Sequence, residues 1–160
     1  MLKRLTVAIA AIFFAGSAQA SPDLAQEWGY AASDLYVHTV HAIEGGDLPA
    51  DFEDSLIRFA VNASRLGSWI EKSGGPADLG CIFRGMSEEA EIQLDAFTLD
   101  ETRTPALRRL ATLFYDAESV ALAAVYAGAR QDNPSMRRSA TPISCVGSPN
   151  AALQYLTEQP

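Results

Sequence analysis

The chain has 160 residues, with 20 acidic against 12 basic groups, a formal charge of −8, two cysteines and two histidines. Such an acidic surface repels nucleic acid and anionic lipid, so those partner classes are excluded; cationic partners, metal ions or solubility alone account for it. No candidate span follows the apolar run near the N-terminus, which itself falls short of the about 20 residues a bilayer demands.

That first run reads as a leader. "MLKR" is a basic start, "LTVAIAAIFFA" an apolar stretch, and "AQA" before Ser21 a small-x-small cleavage site. Residues 1–20 are predicted to be a signal peptide cut between Ala20 and Ser21. Ser21, unlike a cysteine, would carry no lipid anchor. Residues 21–160 then form one exported domain, periplasmic or secreted and not embedded in the membrane. Without Lys3 and Arg4, ten basic groups face 20 acidic ones.

Proline punctuates the rest of the chain: "SPDL" at 21–24, "LPADF" at 48–52, "GPADL" at 75–79, "TPAL" at 104–107 and "SPNAAL" at 148–153. Proline suits a first helical turn, where its missing N–H has no intrahelical partner in any case. Ser21, Thr104 and Ser148 stand where an N-cap belongs. Gly45-Gly46, Gly74-Gly75 and Asp132-Asn133-Pro134 mark the stops.

Between these marks apolar residues recur at helical period. Helix 1 has Leu24, Trp28, Ala31, Leu35 and Ala42; helix 2 has Phe52, Leu56, Phe59, Ala63, Leu66 and Ile70. Helix 3 has Leu79, Phe83, Met86, Ala90, Leu94 and Phe97; helix 4 has Leu107, Ala111, Phe114, Ala121 and Val125. Nothing alternates like a strand. The expectation is an all-α, up-down-up-down antiparallel four-helix bundle, its helices about 22–26 residues long.

Residues 120–129, "VALAAVYAGA", are apolar on every side, so this half of helix 4 is expected to be covered all round. A Pro/Ser-rich tail leads to Cys145 and a short C-terminal helix near Ala151–Leu156. An even cysteine count in an exported chain reads as a disulfide. A Cys81–Cys145 bridge would clamp this tail over helix 4, at about 4 kcal/mol by loop-closure entropy. Failing the clamp, helix 4 offers a route to self-association.

Two features of the helices suggest sites. Glu27, Asp34, His38 and His41 form one polar stripe on helix 1, and two imidazoles with a carboxylate suit zinc, copper or iron. The competing reading is an ordinary polar flank, because all three ligands come from one helix. Glu118 falls amid the assumed helix 4 stripe, where an ionised carboxylate needs a partner. By helical rise it lies level with Asn62, with Arg58 and Arg65 one turn to either side. This gives a buried polar pair or a carboxylate lining a ligand cavity.

Enzymatic and cofactor signals are missing. There is no Gly-x-Ser-x-Gly elbow, no phosphate-cradling glycine loop, no CxxC or CxxCH, and no Glu-x-x-His for a di-iron site. The sequence therefore points to a non-enzymatic exported binding or interaction module without a cofactor, of inhibitor, immunity or adaptor type. Its partner would be a protein or small ligand of the cell envelope. The alternative is a metal-binding bundle using Asp34, His38 and His41.

Overall fold

A computed structural model describes residues 21–131, which form four helices and, among the described residues, no strand. They are α1 (Pro22–Ile43), α2 (Phe52–Lys72), α3 (Ala77–Phe97) and α4 (Asp100–Gln131). The expected clamp residue Cys145 and C-terminal helix lie outside the described residues.

Capping chemistry sets most of these boundaries. The Ser21 hydroxyl accepts the Leu24 N–H at 3.2 Å and Pro22 opens α1, as the sequence suggests. Both double-glycine stops close in the same way. Gly45 (φ 96°) and Gly74 (φ 74°) take left-handed backbone, while Gly46 and Gly75 return N–H bonds to His41 O and Ile70 O.

Two expected starts are displaced. Pro49 belongs to a turn, its carbonyl accepting from Phe52 N at 3.0 Å, and α2 begins at Phe52. α4 begins at Asp100, so Pro105 lies inside the helix and Thr104 is no cap. The extra turn is held by contacts that composition does not reveal. The Arg103 guanidinium sits over the Phe97 ring at 4.6 Å, and the Thr102 hydroxyl donates to Ala96 O at 2.5 Å. Together they close a connection of only two residues between α3 and α4.

Each helix buries a seam at alternating steps of three and four. The seams are Ala25, Trp28, Ala32, Leu35 and Thr39 on α1; Phe52, Leu56, Phe59, Ala63, Leu66 and Ile70 on α2; Leu79, Phe83, Met86, Ala90, Gln93 and Phe97 on α3. On α4 the series is Ala106, Leu110, Leu113, Ala117, Val120, Ala124 and Ala127. This seven-residue repeat is the signature of helices meeting side by side at small crossing angles. One aromatic from each helix meets mid-bundle: Trp28 stacks on Phe59 at 4.7 Å and meets Phe83 edge-on at 5.1 Å, and Phe59 meets Phe114 edge-on at 5.1 Å.

The four helices close a ring in which α1 packs most fully on α4 and α2 on α3, while α1 and α2 touch least. Small residues set the close pairs. A Cβ on Gly29 would lie 2.8 Å from the Ala121 Cβ, and one on Gly67 would lie 2.9 Å from the Gly80 carbonyl.

The α4 seam corrects one expectation. Glu118 is exposed, because the seam passes through Ala117 and turns it away; there is no buried carboxylate there. Among the described residues the second half of α4 keeps an open side, with Leu122 54 % and Tyr126 64 % exposed, and the tail expected to cover it lies outside the described residues. The segment Thr102–Gly128 does have the length and mean hydropathy, 1.2, to cross a membrane, a candidate that the sequence reading passed over. Its buried alanines form the α4 seam of the bundle.

Candidate binding groove between α1 and α2

Where α1 and α2 splay, a groove of about 420 Å³ opens to solvent. Its walls are two polar stripes, each one residue before its helix's seam. α1 contributes Glu27, Ala31, Asp34 and His38; α2 and its approach contribute Asp51, Ser55, Arg58 and Asn62. Trp28, Leu35, Phe52 and Phe59 form an almost fully buried floor.

The splay has a physical cause. Neither wall offers apolar side chains large enough to fill the gap, and among the described residues no ion pair bridges it. The Arg58 guanidinium donates to Ser55 Oγ on its own helix at 2.8 Å, and Arg65 donates to Asn62 Oδ1 at 3.4 Å, also on α2. The connection of eight residues, 44–51, leaves the pair slack to separate, whereas four residues join α2 to α3. What holds α1 to α2 is mainly the floor: Trp28 Nε1 donates to Phe59 O at 3.0 Å.

The acids of the walls are unspent. Among the described residues the ion pairs are Arg84 with Glu71, and Arg109 with Glu89 at 3.8 Å; Glu27, Asp34 and Asp51 take part in neither. Asp51 precedes α2 without capping it through its side chain.

The structure divides the residues expected to form a metal site. Asp34 and His38 share the groove wall, but His41, exposed, lies outside it, its ring resting against Gly46. Among the described residues no three His, Cys, Asp or Glu side chains converge on one point. Asn62 lines the groove, whereas Glu118, its expected partner, is exposed on α4 and does not line it.

The polar pins of the core are residues that sequence reasoning missed. Trp28 Nε1 reaches the Phe59 carbonyl, and Ser87 Oγ donates to the adjacent Ala60 carbonyl at 2.8 Å. α1 and α3 thus grip neighbouring carbonyls of α2. The α2 wall was missed as well, although Asp51, Ser55, Arg58 and Asn62 repeat at four, three and four, in step with Glu27, Ala31, Asp34 and His38. Two polar stripes of matching period on consecutive helices were the signal.

Cys81 is half-buried in the first turns of α3, where Arg84 Nη2 lies 3.5 Å from its sulfur. No protein-family model, curated protein or solved structure matches the chain.

Proposed function

We propose that the protein is an exported, non-enzymatic helical binding module that receives its ligand in the α1–α2 groove. One observation carries the reading: polar walls with unpaired carboxylates stand over an apolar floor. The volume lies within the about 300–1,000 Å³ usual for small-molecule sites. The test is to fill it. Ala31, exposed on the α1 wall, becomes tryptophan, and the mature chain and Ala31→Trp are each used to capture ligands from a cell-envelope extract. Loss of a captured species in Ala31→Trp, with melting unchanged, supports the reading; identical capture by both proteins defeats it.

Export follows from the leader, and mass analysis of the mature protein should find Ser21 at its N-terminus. The same compartment suits the pairing of Cys81 with Cys145. These are the two cysteines of the chain, and Cys81 lies at the bundle end where α4 finishes. Cys145→Ser should then lose about 4 kcal/mol and melt roughly ten degrees or more lower. Unchanged melting of that variant would rule out a clamp.

Self-association through α4 belongs to the same reading, supported by Leu122 and Tyr126 exposed one turn apart. Sedimentation of the wild type and Leu122→Glu decides it: a dimer that the substitution abolishes supports it.

A further inference from the structure

We propose that the ligand of the α1–α2 groove is a linear aliphatic polyamine, an alkyl chain with ammonium groups about 10 Å apart. This rests on the reading of the groove as the binding site and names its ligand class. The spacing comes from α1: Glu27 and Asp34 lie on the same wall seven residues apart, about 10 Å of helical rise. Between them stands Ala31, so the wall reads carboxylate, methyl, carboxylate, matching ammonium, methylenes, ammonium. Across the upper groove Asp51 adds a third carboxylate, which no cap contact engages.

Charge favours a cation on a larger scale as well. Residues 21–72, which build both walls, hold nine acidic groups against three basic ones, whereas residues 73–131 hold nine against five. The one lysine or arginine lining the groove is Arg58, and its bond to Ser55 Oγ draws it along its own helix. Leu24, half-buried, and the exposed methyl of Ala31 supply apolar contact for an alkyl chain, over a floor of Leu35, Phe52 and Phe59. A volume of about 420 Å³ suits a slender chain and leaves little room for a folded helix.

A protein this acidic attracts any polycation, so the test must separate the groove from the net charge. Calorimetry of the mature chain is run with octamethylenediamine, which spans the two carboxylates, and with trimethylenediamine, which does not. The longer diamine should bind about tenfold tighter. The double variant Glu27→Gln/Asp34→Asn should weaken it about tenfold, two exposed ion pairs being worth roughly that. An equal charge removed from α3, Glu88→Gln/Glu91→Gln, should change binding less than twofold. Arg58→Gln should tighten it by removing a like charge, and Ala31→Trp should block it. Circular dichroism melting confirms that each variant folds.

Equal weakening by the α1 and α3 double variants, or no dependence on chain length, would overturn the proposal. A lysine-rich peptide that binds in the groove where neither diamine does would also overturn it, yet leave the groove as a binding site. Ala31→Trp separates the two claims: envelope capture that it abolishes, alongside diamines that never bind, removes the polyamine alone.

Discussion

α1 faces α4 on one side and α2 on the other, and the two contacts differ in kind. Toward α4 it presents Gly29, where the backbones draw together until an added Cβ would lie 2.8 Å from the Ala121 Cβ, and Ala25 and Ala32 on α1 and Ala117 and Ala124 on α4 are fully buried. Toward α2 it presents Glu27, Asp34 and His38; among the described residues no ion pair crosses from them to α2, and the helices part. Close packing gains dispersion contacts that a gap forfeits. The lesson is a division of labour within one helix: one flank supplies cohesion and the other a wetted cleft.

The contrast breaks most readily at the seam. Gly29→Leu drives a side chain into Ala121 and should cost about 3 kcal/mol, with melting roughly 10 °C lower. Only small residues allow that approach, so a variant that melts like the wild type would mean the seam is looser than described.

Trp28 belongs to both sides, since it is a seam residue whose indole floors the groove. Trp28→Phe keeps an aromatic ring but removes the Nε1 bond to Phe59 O, and should cost about 1–2 kcal/mol by chemical denaturation. A loss no greater than that of Tyr30→Phe, an exposed ring, would show that the bond contributes nothing to holding α2.

Groove and surface positions should be far more tolerant. Ala31→Leu and Glu118→Ala are each expected within about 0.5 kcal/mol of the wild type. For Glu118 the measurement separates an exposed carboxylate from the buried one that the hydropathy pattern suggested, whose removal would change stability by several-fold more.

The smallest effect concerns pH. Burial raises the pKa of Asp116 above its ordinary 3.8. A raised folded-state pKa means that charging the group opposes folding, so stability falls as pH rises from below 3.8 through the folded value. Asp116→Asn should therefore be slightly stabilising at pH 7, and that gain should shrink to nothing once the pH is below 3.8. A gain independent of pH would assign the effect to something other than the charge.

How well each helix could be read depended on side-chain size. On α2 the apolar pattern names the whole seam, Phe52 to Ile70, because large residues occupy it. α3 is read nearly as well, with Leu94 in place of the buried Gln93, whose amide donates to Glu89 Oε1 at 2.9 Å. α1 and α4 are read in part: Trp28 and Leu35 on α1 and Leu107, Phe114 and Ala121 on α4 are buried as the pattern suggests. The seam also runs through Ala25 and Ala32 on α1 and Ala106, Ala117, Ala124 and Ala127 on α4, and hydropathy separates alanine poorly from its surroundings, so the centre of the α4 stripe was drawn through Glu118 instead of Ala117. The polar stripe on α1 was legible as Asp34 and His38, but its separation from His41 was not, because Gly46 folds back onto that ring.

The sequence by itself determined four helices, their glycine stops and the Ser21 cap, because caps and stops depend on a few neighbouring residues. It also determined that α1 carries a polar stripe beside its core. Tertiary structure alone decided which flank of α1 closes and which stays open. That outcome depends on what faces each flank: alanines of α4 that admit close approach, or Ser55, Arg58 and Asn62 of α2, whose bonds run along their own helix and leave the gap unbridged.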